Sequence, residues 1–497
     1  MQVKAFEQLD EQEKSDVLVI PFWQGKTRAE MAISSKEYEA VVLLAVQSHD
    51  FEGKLGEITI IYTTSNIHKR LLLLGLGKKE VCDKEKLRRA YSYVAKMCHQ
   101  KKWKICTLFL PKINKISTLD VSIATVEGVA LTNYDFLSYK HKKEKKLIEK
   151  LTIIGMGSQA KESIARTLSI IEGVNFARDL VNGNADDVTP EFMAKMGRSL
   201  AKRFSTLKVT VLGKKELEKE GCGLLLAVGR GSCQEDREPK LLVLQYFGGA
   251  KSDDTTLLVG KGVTFDTGGL NLKPTGSIET MKGDMAGAAA VLGIFQAILS
   301  LSLRANVVGV IPLTENAIDA TSYKPGDVYS SFLGKTVEIG NTDAEGRLIL
   351  ADAIAYGQKH FKPARIIDLA TLTGAIGVAI GEFRTGLFSN NKDLIEIISE
   401  AGEASGERVW PLPMDEEYAQ KLKSEIADIR NCSKDRLGGA IIGAKFLEAF
   451  VKDNLPWAHL DIAYTGFTDR PKYYHTTPAS GMGIRLLVEV LERLYAR

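Results

Sequence analysis

The segment TTLLVGKGVTFDTGGLNLKPTGSIETMKGDMAGAAAVLGIFQAIL, residues 255–299, sets the fold class of the chain. Thr255–Phe265 is dominated by aliphatic and β-branched side chains and runs into Gly268 and Gly269, the pattern of a buried strand closed by a turn. Ala286–Leu299 carries small and aliphatic residues at helical spacing, and Ala305–Leu313 is again strand-like. Strand, helix and strand in succession make the repeating unit of an α/β domain on a parallel or mixed sheet. The alternation continues on both sides. Glu191–Phe204 and Arg347–Lys359 read as helices, and Leu207–Leu212, Leu241–Phe247 and Thr336–Ile339 as strands.

The first third repeats the pattern. Val17–Pro21, Ile58–Thr63, Leu71–Leu76 and Cys106–Leu110 look like strands, and Lys84–Cys98 has apolar residues at helical spacing. Lys161–Leu180 is helical in period and leads into the Gly/Asn/Asp-rich stretch Asn182–Asp187. The expected organisation is an N-terminal α/β domain over 1–160, a linker helix and loop over 161–188, and a C-terminal α/β domain over 189–497. In that last domain a mixed sheet is flanked by helices.

Composition narrows the class. A chain of 497 residues, 44% hydrophobic and 26% charged, is globular and needs neither disulfides nor a structural metal to fold. Cys82, Cys98, Cys106, Cys222, Cys233 and Cys432 form no CxxC pair, which fits a reducing compartment. Met1–Asp16 is acidic and lacks the basic and apolar regions of a secretory signal. The aliphatic run Leu71–Leu74 is far short of the roughly 20 residues of a membrane helix. A soluble, cytoplasmic protein without a membrane partner is expected. The net charge of +4 is unevenly spread: residues 1–150 hold 26 Lys and Arg against 19 Asp and Glu, the remainder 40 against 43. Lys84–Lys104 and Lys140–Lys150 carry much of the excess, which admits a nucleic-acid partner such as DNA but reads more readily as a solvated helix face.

Several catalytic signatures are missing. The chain has no GxxxxGK[ST] loop, no GxSxG elbow and no HExxH helix, and its seven histidines do not pair at ligand spacing. A G-x-G-x-x-A string at Gly155–Ala160 follows the apolar Leu151–Ile154, a weak sign of a nucleotide turn. The informative residues lie within Leu257–Leu350. Asp266 follows a strand, Asp284 precedes the small-residue helix at Ala286, and Asp343 and Glu345 precede the helix near Arg347. Strand ends meeting helix starts are where α/β folds bind ligands. Carboxylates converging there repel unless cations neutralise them. Asp343 as a helix N-cap is the simpler alternative for that residue. Hard oxygen donors without histidine suit Mg²⁺, Mn²⁺ or a carboxylate-bound Zn²⁺, and more than three of them suffice for two metals sharing ligands.

Asn341-Thr342-Asp343-Ala344-Glu345-Gly346-Arg347-Leu348 matches at every position the signature octapeptide of the leucyl aminopeptidase family, the di-metal cytosol aminopeptidases. Val259–Gly269, Lys273-Pro274, Met281–Met285, Ala370–Ala375 and Trp457–Ala463 also resemble that family's segments, over about 180–490. The resemblance implies a metal-dependent aminopeptidase acting on peptides with a free N-terminus, with Leu, Met or another apolar residue first. It further implies two divalent ions, Mn²⁺ or Zn²⁺, bridged by Asp266 and Glu345. Asp343 would complete one site, and Asp284 with the amine of Lys261 the other. A metal-bridging hydroxide would attack the scissile carbonyl, and the substrate's α-amine would bind the second metal. Lys273 would hold the oxyanion, and Arg347 a bicarbonate acting as general base. Met281, Thr371, Leu372, Gly374 and Ala479 would line the first side-chain pocket, and the assembly would be a homo-hexamer. The chain departs from the family pattern at Asn182–Asp186, at Ile278-Glu279, at Tyr464 and across Thr476–Gly481.

Overall fold

The computed structural model describes residues 1–497 except 10–12, 65–66, 142–143, 145–146, 158–159, 233, 251–253 and 496–497. The chain divides into two compact units, one of residues 1–171 with 470–477, the other of residues 172–469 with 478–497. The division therefore falls inside the continuous helix Ala160–Asn182 rather than at the loop after it. A late segment also returns to the first unit, which the expected boundaries of 1–160, 161–188 and 189–497 do not contain.

The first unit holds a seven-stranded mixed sheet ordered Gln2–Phe6, Lys150–Ile154, Ile105–Phe109, Val17–Trp23, Arg70–Gly75, Ile58–Tyr62, with Glu30–Met31 added on Val17–Trp23. Five of these run parallel; Ile58–Tyr62 and Glu30–Met31 are antiparallel to their neighbours. Val17–Trp23 is buried along its whole length, as expected of a central strand covered on both faces. Much of the basic excess in Lys84–Lys104 is neutralised in place: Arg88 pairs with Glu127 at 2.5 Å, Arg89 with Glu85 at 2.8 Å and Lys104 with Glu149 at 2.7 Å. Two of the three variable positions of the Gly155–Ala160 string, Ser158 and Gln159, lie outside the described residues, as do Cys233 and four lysines of Lys140–Lys150.

The second unit is built on a nine-stranded mixed sheet ordered Val409–Pro411, Thr385–Ser389, Trp457–Asp461, Arg365–Ala370, Thr255–Gly260, Asn306–Asn316, Lys240–Phe247, Leu207–Leu212. Its centre, Trp457–Asp461 through Asn306–Asn316, is parallel. Gly262–Asp266 continues beside Asn306–Asn316 with a register shift before Asp266. The single strand expected over Thr255–Phe265 is thus two, interrupted at Lys261. Glycines flank the break because a Cβ at Gly260 would meet the Gly287 carbonyl at 2.5 Å, and one at Gly262 the Pro312 carbonyl at 2.5 Å.

Helices cover both sheet faces, since strand side chains alternate sides. Helix Ala286–Ser300 packs by Val291 on the face of Gly260, and Glu345–Phe361 brings Gly357 against Leu257 on the other. Ala286–Ser300 is mostly apolar and, with the turn before it, long and apolar enough to cross a membrane, but the helix is buried in this unit as part of its core. Its closeness to Ala160–Asn182 depends on two facing glycines. A Cβ on Gly173 would lie 2.4 Å from the Gly293 carbonyl, and one on Gly293 2.6 Å from that of Gly173.

Candidate metal centre

The parallel strands deliver their carboxyl ends to one place, where α/β sheets form sites. Lys261 follows Thr255–Gly260, Asp266 ends the continuation, Asn316 ends its neighbour, Thr371 follows Arg365–Ala370, and Asp461 ends Trp457–Asp461. Two helices begin beside them. Asp284 stands just before Ala286–Ser300, and Glu345 is the first residue of Glu345–Phe361, where the helix dipole favours a carboxylate. That helix starts two residues earlier than the expected Arg347, and its N-cap is Ala344 with no side-chain bond. Asp343 is therefore not a cap, and its carboxylate is left for the site.

Two lysines thread the four acids. The Lys261 ammonium lies 2.8 Å from Asp284 Oδ2 and 2.9 Å from Glu345 Oε1, and donates to the Thr371 carbonyl at 2.8 Å. Lys273 Nζ lies 2.8 Å from Asp266 Oδ2 and 2.6 Å from Asp343 Oδ1. Asp266 Oδ1 accepts from the Gly268 amide at 2.9 Å and from Asn316 Nδ2 at 2.8 Å. Asp284 Oδ1 accepts from the Thr371 hydroxyl at 2.8 Å. Glu345 Oε2 is buried and makes no hydrogen bond among the described residues. Asp284 Oδ2 and Asp343 Oδ1 sit at ion-pairing distance from their lysines without the angle of a hydrogen bond.

The electrostatics follow from burial and crowding. Burial raises the pKa of Asp284 well above its ordinary value, and burial with the Glu345 charge raises Asp266. Burial, then the charges of Glu345 and Asp266, push Asp343 up to about 6. For Glu345 burial acts upward as well, but the Lys261 and Lys273 ammonium groups outweigh it and hold its pKa below the usual carboxylate range. Burial works against a charged Lys261, yet Asp284, Glu345 and Asp266 more than compensate and raise its pKa. Oxygens of Asp266, Asp343 and Glu345 all lie within 4.8 Å of one another. Such a set, with one oxygen buried and unengaged, fits hard divalent cations, which neutralise what two ammonium groups only balance in part.

The other expected residues fall as follows. The Arg347 guanidinium is buried, donates from Nη1 to the Asn431 carbonyl at 2.7 Å, and has its Nε without a hydrogen bond among the described residues. Thr371 contacts both Lys261 and Asp284. The Leu372 amide is held by Asp461 Oδ1 at 3.2 Å, and Gly374 opens helix Gly374–Ile380 with open space where a Cβ would stand. Met281 is half-buried on the turn Ile278–Gly283. Ala479 is fully buried and bridged to Phe467, whose ring packs on Gly283. The Met281 carbonyl accepts from the Asp284 amide at 3.3 Å, which ties the turn to the acidic site. The sequence reading passed over Asn316 and Asp461. Asp461 anchors the Leu372–Thr373 loop through its 2.6 Å bond from the Thr373 hydroxyl. Its signal was a carboxylate closing the short strand Trp457–Asp461; that of Asn316 was the polar Thr314–Asn316 tail of another.

Carboxylates and lysines gathered at the strand ends of a mixed α/β sheet make the kind of site that a metal-dependent hydrolase uses. The chain belongs to the cytosol aminopeptidase family: residues 175–488 match its catalytic domain and residues 19–143 its N-terminal domain. It is 45% identical to a probable cytosol aminopeptidase of Protochlamydia amoebophila, over 98% of this chain and 97% of that protein. It is 44% identical to one of Chlamydia trachomatis, over 98% of each. Among solved structures, a mutant of tomato leucine aminopeptidase superposes with a TM-score of 0.88 at 31% identity, over 99% of this chain and 96% of that one. The bottromycin maturation enzyme BotP, in complex with Mn, gives 0.84 at 30%, over 97% and 100%. The protein is an aminopeptidase, a peptide-bond hydrolase of a metal-dependent family.

Proposed function

We propose that the protein removes the N-terminal residue from peptides with a free α-amine, preferring Leu, Met or another apolar residue. In this reading two divalent ions, Mn²⁺ or Zn²⁺, are held by Lys261, Asp266, Asp284, Asp343 and Glu345. Asp266 and Glu345 would serve both ions, Asp343 one of them, and Asp284 with Lys261 the other. The supporting observation is the gathering of four carboxylates around two lysines, with Glu345 Oε2 buried and unengaged.

When bound, the ions supply Lewis acidity and bring the pKa of water toward neutrality. The chain's own groups do the rest. Lys261 gives up a proton to act as a ligand and keeps an N–H for the Thr371 carbonyl. Lys273 donates to the oxygen of the scissile carbonyl as charge develops there, a contribution of about 2.7–4 kcal/mol for one such donor. Arg347, buried and with Nε making no hydrogen bond among the described residues, would hold a bicarbonate ion, which would supply general-base chemistry at the site. Met281, Thr371, Leu372 and Gly374, with Ala479, shape the pocket for the first side chain. The active assembly is a homo-hexamer.

The test is hydrolysis of Leu-p-nitroanilide beside its N-acetylated form, after chelation and again with Mn²⁺ or Zn²⁺ restored. Cleavage of the free-amine substrate alone, and only with metal, is expected. Equal cleavage of the acetylated substrate, or full activity after chelation, would overturn the reading.

A further inference from the structure

Asn316 carries no motif and reaches no exposed surface, yet it touches both halves of the acidic site. It closes strand Asn306–Asn316 and stands in register with Asp266 on the neighbouring strand. Its Nδ2 donates to Asp266 Oδ1 at 2.8 Å and to the Thr342 carbonyl at 3.0 Å, and its own carbonyl accepts from the Thr267 amide and hydroxyl. Thr342 is the centre of the second half. Its hydroxyl donates to the Gly268 carbonyl at 2.7 Å, its amide to Asn271 Oδ1 at 2.8 Å, and its carbonyl also accepts from Tyr323 at 2.6 Å.

The consequence lies in which oxygen of Asp266 is left for a cation. Oδ1 is taken by two N–H donors, Asn316 and Gly268, so Oδ2 alone faces the Lys273 ammonium. A carboxylate beside Glu345 without that restraint would turn away from the like charge. Both hydrogens of Nδ2 are committed, to Asp266 and to Thr342, and fix the orientation of the side chain, while Asn316 Oδ1 is buried without a hydrogen bond among the described residues. Room for it comes from Gly269, at φ +65°, where a Cβ would stand 2.9 Å from Asn316 Oδ1 and 2.9 Å from Thr342 Oγ1.

We infer that Asn316 is a positioning residue: one amide aims Asp266 Oδ2 into the site and ties the Asp266 segment to the Thr342–Glu345 segment. This rests on the metal reading of the site. Residues that orient metal ligands typically change affinity by about 10–100-fold when removed.

The experiment is calorimetric titration of the chelator-stripped full chain with Mn²⁺, for wild type, Asn316→Ala and Asn316→Leu. The leucine keeps the volume and removes the donors, so it serves if the alanine variant does not fold. Thermal melts of the metal-free proteins run in parallel. At least about tenfold weaker Mn²⁺ binding by a folded variant is the expected result, with a broadened or shifted Mn²⁺ electron paramagnetic resonance signal. A variant that melts lower when metal-free but binds Mn²⁺ within twofold of wild type overturns the role given to Asn316 and leaves the metal reading standing. Wild type that takes up no Mn²⁺ overturns the metal reading, and this inference with it.

Discussion

Gly346 follows the first residue of helix Glu345–Phe361, and the reason for a glycine there is the neighbouring lysine. A Cβ at this position would lie 2.6 Å from Lys261 Cε, 2.7 Å from Nζ and 2.8 Å from Cδ. Ordinary contact needs about 3.5 Å, so Gly346→Ala moves the end of Lys261 by about 1 Å. The displaced ammonium leaves an environment where Asp284 Oδ2, Glu345 Oε1 and the Thr371 carbonyl stand 2.8, 2.9 and 2.8 Å away. A metal ligand tolerates about 0.2 Å, and a 1 Å misplacement at a catalytic site costs about 100-fold, or about 2.7 kcal/mol. The fold should not suffer, because alanine is favoured over glycine in a helix by up to about 1 kcal/mol. The assay is kcat/KM on Leu-p-nitroanilide at saturating Mn²⁺, with calorimetric metal affinity and a thermal melt. A loss of about 100-fold with an unchanged or higher melting temperature is expected. Activity and Mn²⁺ affinity within threefold of wild type would refute the idea that Gly346 exists to clear Lys261.

Glu345→Gln keeps the volume but removes a charge 2.9 Å from the Lys261 ammonium; turnover should fall at least about 100-fold while the metal-free melting temperature holds. In Gly293→Ala the new methyl meets the Gly173 carbonyl at 2.6 Å. Backbone cannot yield as a side chain can, so chemical denaturation should show a loss of about 1–3 kcal/mol. Asp352 is buried in helix Glu345–Phe361, accepts from the amides of Leu224, Leu225 and Phe332 at 2.8–2.9 Å, and has its pKa pushed by burial up to about 7 despite those bonds. Between about pH 4 and 7 the folded state keeps a proton that the unfolded state has released, so this group's contribution to stability declines as pH rises through that window. Wild type should lose stability relative to Asp352→Asn, by up to about 1.4 kcal/mol per pH unit. A pH-independent difference in denaturation midpoints would contradict it.

What the sequence disclosed and what it concealed divide along physical lines. Long elements with one strong period were legible: helix Glu345–Phe361, helix Ala286–Ser300 and the strands around them lie within a few residues of expectation. The four acids were legible because they close or precede otherwise apolar runs, while the two lysines came as site residues only through the family resemblance; the structure gathers all six. The break at Lys261 was hidden. Both flanking glycines serve backbone approaches to residues far along the chain, Gly287 and Pro312, and no local pattern reports such contacts. Gln2–Phe6 was hidden for another reason. It is an edge strand, mostly exposed, which binds Lys150–Ile154 by backbone pairing and shows little apolar signal. Asn316 was silent because a single amide among apolar neighbours has many uses, and only its two partners reveal which one applies.

The return of residues 470–477 to the first unit has a consequence for how this protein can be divided or recombined. Within that unit Arg89 stacks on Tyr473 at 3.9 Å, and the Thr476 hydroxyl donates to the Tyr134 carbonyl at 3.0 Å. Cutting the gene at the obvious place would yield an N-terminal product lacking a strip of its own surface. The remainder would carry eight residues that belong elsewhere. The first unit is not a cassette to be exchanged by a single crossover; a functional swap must carry a second, distant piece of sequence along with it.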